Sequence, residues 1–178
     1  EDLQYHLRMM SGAEVPIVHD PNKVKGLGIY IDTKPLGTHV PGRSIERQDL
    51  WPDGYVIEVI EFEGTAGLVL SSSRSEGVWN AVYGLLEDHL GCHWYTPGDI
   101  GEYIPQRATV TLDISGGQDV VKPTFEKRVP WYNDKALGKI KKERVEIVKW
   151  YKRNRSGGPR GPVSHGWQMF SKALFKKI

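Results

Sequence analysis

The sequence predicts an α+β fold, in which a mixed, mostly antiparallel sheet carries two helices on one face and a second unit of alternating strands and helices begins after it. Three observations predict this arrangement. Residues 76–90 carry the wide apolar stripe of an amphipathic helix. Residues 54–70 contain two apolar strand segments joined by a short turn. After residue 122 the pattern changes to a strand, a basic helix and a Gly/Pro-rich loop.

The first predicted element is a helix over residues 1–11. Leu3, Leu7 and Met10 recur at spacings of four and three, which places them on one helix face. Gly12 suits the left-handed backbone position at which many helices end.

Two short strands and a long loop are predicted next. Residues 15–18 and 28–31 are brief apolar runs bounded by turn-forming residues. Residues 33–53 contain three Pro and two Gly among few apolar residues, so they predict a long loop or insertion.

The strongest strand prediction falls on residues 54–61, where alternate residues are apolar and share one face. Residues 67–70 form an uninterrupted apolar run, which is typical of a strand that is central in a sheet. Residues 63–64 predict the turn between them, so the two strands are expected to pair antiparallel as a hairpin.

The strongest helix prediction covers residues 76–90. Ser75 is the predicted N-cap, and Gly91 is predicted to end the helix. The apolar stripe consists of Val78, Trp79, Val82, Leu85, Leu86 and Leu90.

Two further strands are predicted over residues 92–95 and 110–114. Trp79, Tyr83 and Trp94 fall in apolar periodic segments, so we expect these aromatic side chains to lie in the core rather than on a binding surface.

A linker is predicted to begin at Gly116-Gly117 and to divide the chain into residues 1–117 and 118–178. In the second part, residues 124–129 predict a strand and residues 142–154 predict a basic amphipathic helix. The apolar positions of that helix are Val145, Val148 and Trp150.

Composition excludes several classes of function. The net charge of +2 is too small to indicate nucleic acid or an anionic membrane as a partner. No apolar run approaches the ~20 residues that a membrane-spanning helix needs. The single cysteine, Cys92, rules out an internal disulfide. The chain begins without Met inside a helical pattern and ends without a helix stop signal, so we expect a fragment of a longer protein.

Other candidate sites are better explained by packing. His89, Cys92 and His93 offer three metal ligands, but a structural zinc site uses four in paired clusters, so core packing is expected and no metal is predicted. Residues 71–73 lack the Gly-x-Ser-x-Gly context of a nucleophile. The Gly-Leu-Gly at residues 26–28 lacks the third glycine of a dinucleotide site, and no cofactor is predicted.

Several motifs carry a family resemblance when they are taken together. They read SGAEVPI at residues 11–17, DGYVIEV at 53–59, EGVWNAVYGLLEDHLGCHWYTPG at 76–98 with GEYIP at 101–105, and KPTFEKR at 122–128. In this order they resemble the N-terminal domain of family 20 β-N-acetylhexosaminidases and of α-glucuronidases, and most closely a related bacterial group of glycoside-hydrolase-like proteins of unknown function.

The resemblance implies that residues 1–117 form a non-catalytic α/β domain and that residues 118–178 are the truncated start of a catalytic (β/α)8 barrel. Family 20 enzymes place their Asp-Glu pair late in the barrel, so no catalytic residue is expected in this chain. Asp88, Asp99 and Glu102 are expected to be solvated helix and turn residues.

The resemblance also implies a glycan substrate that is reached through the barrel, a secreted or periplasmic location, and self-association through the exposed barrel start. Arg128 would lie near the C-terminal end of the first barrel strand, where barrel enzymes place functional groups. Arg128, His165 and Trp167 are therefore the candidate substrate contacts, with packing or a structural salt bridge as the alternative for each. Trp131 and Tyr132 are expected to pack at an interface.

Two alternative functions remain open. A non-catalytic carbohydrate-binding or scaffold module would also use the six Trp and eight Tyr side chains as stacking surfaces. The other alternative is that the group has abandoned glycosidase chemistry altogether. Paired carboxylates in the sequence downstream of this chain would distinguish the hydrolase from both alternatives.

Overall fold

A computed structural model describes residues 1–19, 23–32, 50, 53–62, 65–128 and 141–157. It contains three helices and six strands in this part of the chain. In order they are α1 (Asp2–Ser11), β1 (Gly28–Asp32), β2 (Tyr55–Phe62), β3 (Thr65–Ser71), α2 (Ser75–Gly84), β4 (His93–Trp94), β5 (Glu102–Tyr103), β6 (Gln118–Val121) and α3 (Lys141–Arg153).

Four of the strands form one sheet in the order β1-β3-β2-β6. Strand β1 runs parallel to β3, whereas β2 is antiparallel to both β3 and β6, so the predicted mixed, mostly antiparallel sheet is confirmed. The predicted hairpin is β2–β3, in which Ile57 lies opposite Leu70. Strand β3 has a neighbour on each side, as its continuous apolar sequence predicted.

Both predicted helices contribute to one hydrophobic core with the sheet. The core side of α1 contains Leu3, Leu7 and Met10, and Leu86 of the second helix is fully buried. The sheet contributes alternate residues of β2 and the side chains paired with them on β3, because successive strand residues point to opposite faces.

The ends of the two helices follow the glycine signals. Gly12 adopts φ 74° and donates its N–H to the carbonyl oxygen of Arg8 at 2.7 Å. Helix α2 begins one residue earlier than predicted, because Arg74 is the N-cap and Ser75 is already helical. Beyond Gly84 the helix continues as a π-helical turn, Leu85–His89, and Gly91 then ends it with φ 76°.

Three predicted strands do not form. Residues 15–18, 110–114 and 124–128 have no strand partner in the part of the chain that the structure describes. The alternation over residues 110–114 arises because one side of the segment is buried, as at Ile114. No other described strand pairs with the backbone of this segment. The last strand of the sheet is instead β6, which extends four residues past the predicted boundary at Gly117.

Helix α3 confirms the predicted basic helix but buries a different face. Ile147 and Arg153 are both 6% exposed, whereas Val145 and Val148 point outward. Trp79 was predicted to lie in the core, but the residue is 46% exposed. The ammonium group of Lys152 lies over its ring, 3.5 Å from the centroid. In the described segments, no helix combines the length and apolarity needed to cross a membrane.

Candidate functional site

Strands β4 and β5 form a two-stranded ribbon with two different faces. Trp94 pairs with Glu102 and His93 pairs with Tyr103, so the inner face carries Trp94 and Glu102. The indole nitrogen of Trp94 donates to Glu102 at 3.0 Å. Both side chains lie against helix α1, where His6 contacts the carboxylate of Glu102 and the ring of Trp94.

The buried carboxylate of Glu102 is the centre of an ion-pair network that joins three elements. Arg153 of α3 lies 2.7 Å from Glu102 and 3.3 Å from Asp2 of α1. His6 places Nε2 at 3.2 Å from Glu102 and Nδ1 at 2.7 Å from the carbonyl oxygen of Asp2. Both nitrogens of His6 thus face oxygen atoms of the network.

The pKa values of the two buried carboxylates are lowered. Burial alone raises the pKa of Glu102, but the charge of Arg153 and the hydrogen bond from Trp94 outweigh it. Burial likewise raises the pKa of Asp2, and the hydrogen bond from Tyr83 together with Arg153 reverses that shift. Both groups are therefore held ionised, and each is committed to several donors.

Stability should fall on acidification in a way that depends on Glu102. Its pKa is lower in the folded chain than its ordinary value of 4.5, so the unfolded chain binds more protons and stability decreases as pH falls below that value. Glu102→Gln should lower the free energy of unfolding by about 2 kcal/mol at pH 7, and urea titrations down to pH 3 should show this difference shrink. A difference that stays constant with pH would contradict the assignment, and Glu14→Gln at an exposed site is the control.

A second charged cluster lies at the end of helix α3. Arg155 donates to Glu87 at 2.7 Å, to Asp88 and to the hydroxyl oxygen of Tyr55 at 3.1 Å. Arg155 has φ 51°, the only positive φ of a non-Gly residue among those described, which turns its side chain back toward the second helix. Burial raises the pKa of Tyr55 to about 12 despite this guanidinium, so the phenol stays neutral.

Helix α3 is also tied directly to strand β4. The indole nitrogen of Trp150 donates to the main-chain oxygen of Trp94 at 2.7 Å, and Asn154 donates to the same oxygen at 3.1 Å. These bonds and the two charged clusters hold the C-terminal turn of α3 against α1, the second helix and the ribbon.

Arg128 is the one predicted substrate contact that the structure describes, and its guanidinium faces neighbouring residues. Its guanidinium forms an ion pair with Asp53 and donates to the main-chain oxygens of Phe125 at 2.7 Å and Arg155 at 3.3 Å. Its own N–H bonds to the oxygen of Gly157 at 2.8 Å. The other candidate contacts lie outside the described residues, as do the predicted interface residues; they are His165, Trp167, Trp131 and Tyr132.

The three metal-ligand candidates lie in different surroundings and do not face one another. The thiol of Cys92 is fully buried, and burial raises its pKa to about 11. His89 lies 3.1 Å from Asp119 of β6, and His93 lies on the outer face of the ribbon. The described residues contain no group of three His, Cys, Asp or Glu side chains placed to hold a metal ion.

The residues that organise this site differ from those expected. Glu102 was predicted to be solvated, but its side chain is only 9% exposed, and Asp88 is paired with Arg155. One signal did exist for His6, since it lies beside Leu3 and Leu7 on the predicted apolar face of α1. Arg153 had a weaker signal: it lies three residues after Trp150, so both share one face of the predicted helix.

No protein-family model matches this chain, and no curated protein is significantly similar to it in sequence.

Proposed function

We propose that this chain is the non-catalytic N-terminal portion of a glycoside hydrolase that acts on glycans. In this proposal the sheet and the first two helices form a support, and the segment that includes Arg128 and α3 begins a (β/α)8 barrel. The observation that carries the proposal is the firm attachment of that segment. Arg128, Arg153 and Arg155 each form an ion pair with a residue of the N-terminal domain.

A support of this kind must hold the following domain in a fixed position, because a small displacement of catalytic groups costs a large part of the rate. Buried ion pairs and hydrogen bonds at the joint meet that need. Opening the joint would break these ion pairs and hydrogen bonds together, which costs free energy.

The charge state of the buried carboxylates also favours a supporting role. A glycosidase needs a carboxylic acid whose pKa is raised so that it can protonate the leaving group. Glu102 and Asp2 have the opposite shift and are tied to Arg153. Neither carboxyl group is suited to general acid catalysis.

The proposal retains Arg128, His165 and Trp167 as residues of the barrel start. The donors of Arg128 are engaged by Asp53 and by main-chain oxygens. We therefore assign Arg128 to positioning the segment beside it. Contact with sugar hydroxyls falls to His165, which can donate a hydrogen bond, and to Trp167, which can stack on a sugar face.

The test is to express the complete reading frame that contains this chain and to assay a panel of 4-nitrophenyl glycosides. We expect hydrolysis of at least one glycoside by the complete protein and none by residues 1–178 alone. Turnover by residues 1–178 would overturn the proposal. So would a reading frame whose downstream sequence lacks paired carboxylates at barrel strand ends.

A further inference from the structure

The outer face of the β4–β5 ribbon is lined by three exposed rings. His93 and Tyr103 are directly opposite each other across the strands, and Tyr95 follows His93 by two residues. The centroid of His93 lies 5.6 Å from that of Tyr95 and 6.2 Å from that of Tyr103. Tyr95 is 69% exposed and Tyr103 is 52% exposed, so their rings remain available to a ligand.

The ring of His93 is nearly parallel to that of Tyr103 and tilted from that of Tyr95. The plane of His93 makes an angle of 17° with that of Tyr103 and 33° with that of Tyr95. Parallel rings expose faces of one orientation, whereas a cage that encloses a cation needs walls at large angles to each other. The arrangement therefore suits a flat ligand that stacks rather than a quaternary ammonium group.

One carboxylate adjoins the ring of His93, and a second binds the same guanidinium as the first. A carboxylate oxygen of Glu87 lies 3.8 Å from Nδ1 of His93, and the other oxygen accepts from Arg155. Asp88 binds the same guanidinium and keeps 47% of its side chain exposed. Carboxylate oxygens accept up to four hydrogen bonds, so these two groups retain capacity for further donors.

We propose that this face binds a saccharide chain, with the apolar C–H face of a sugar on the tyrosine rings and its hydroxyl groups donating to Glu87 and Asp88. The ribbon is held rigidly from beneath by Trp94 and Glu102, which would preorganise the surface.

The same groups argue against other occupants. Bases of a nucleic acid also stack on aromatic rings, but the carboxylates beside them repel phosphate groups. The energetic centre of a protein interface is a desolvated pocket that is depleted of charge, whereas here the carboxylate of Glu87 lies beside the ring of His93. The inference adds a binding site to the proposed function and does not depend on it, since binding is measured on this chain without turnover.

The experiment is calorimetric titration of residues 1–178 with four probes: cellohexaose, chitohexaose, xylohexaose and maltohexaose, each at millimolar concentration. We expect at least one to bind. Tyr95→Ala and Tyr103→Ala should each weaken binding about tenfold, whereas Tyr95→Phe and Tyr103→Phe should retain most of it because the ring remains.

Phe125→Ala is the matched control, since Phe125 is 70% exposed and lies outside the ribbon. It should leave the affinity unchanged. The proposal is overturned if none of the four probes binds, or if the tyrosine-to-alanine variants bind as the wild type does. A parallel titration with oligothymidylate tests the alternative. Binding that requires Tyr95, with no binding of the saccharides, would overturn the proposal in favour of a nucleic acid.

Discussion

Replacing Arg153 with methionine is expected to lower the free energy of unfolding by about 3–5 kcal/mol, because breaking a buried ion pair strands the remaining charge. The side chain of Arg153 is 7% exposed and it is the guanidinium that faces both Glu102 and Asp2. Methionine preserves much of the packing volume of arginine, so the decrease in unfolding free energy reports the removal of the charge. Urea denaturation followed by circular dichroism measures this decrease. The total free energy of unfolding of a typical domain is ~5–15 kcal/mol.

Arg8→Met provides the comparison on the surface. Arg8 pairs with Glu14 at 3.8 Å, and both side chains are more than half exposed. Such pairs contribute little, so this variant should change the free energy of unfolding by less than about 1 kcal/mol. Equal effects of the two substitutions would show that the buried network does not hold α3 on the domain.

Gly77→Ala is expected to lower the free energy of unfolding by about 3 kcal/mol. A Cβ atom at this position of α2 would overlap Ser72 and would lie 2.5 Å from the main-chain oxygen of Gly54. The gain of about 1 kcal/mol in helix propensity is too small to offset that overlap. Thermal and urea unfolding of the variant measure the loss, and Ser75→Ala at an exposed helical position is the control.

Gly84→Ala gives a second comparison, since the obstacle there is a side chain. The added Cβ would overlap the hydroxyl of Tyr55 and lie 2.6 Å from its Cζ atom. Because a side chain can be changed, Tyr55→Leu should relieve part of the cost of Gly84→Ala in the double variant. No substitution at Ser72 should relieve Gly77→Ala fully, because the carbonyl of Gly54 stays in place. Full relief there would contradict the steric account.

Much of the fold follows from local patterns. The apolar stripe over residues 76–90 and the alternation over residues 54–61 predicted the second helix and β2. In the structure β2 buries both faces, since Val56 and Ile57 are each 0% exposed. The same logic failed over residues 110–114, where burial is one-sided but no backbone partner exists. Periodicity detects what a segment buries and does not detect which strand, if any, pairs with it.

The polar site was harder to predict for a different reason. Glu102 meets His6 across 96 positions of sequence, and Arg153 meets Asp2 across 151. No local spacing encodes such a pair, so each charged residue looked like part of a solvated surface. Arg128 was identified as important from its motif, yet its partner Asp53 was not, because it stands 75 residues earlier at the edge of the predicted loop.

The contact between the first helix and Arg153 has a consequence for the order of folding. Protein synthesis adds ~5–20 residues per second, so the arginine emerges roughly 8–30 s after its aspartate. During that interval α1 and the ribbon can assemble only with Asp2 and Glu102 still hydrated. The ion pairs of Asp2 and Glu102 with Arg153 can therefore form only after the C-terminal part of α3 has been synthesised. Contacts of such long sequence separation also favour slow folding.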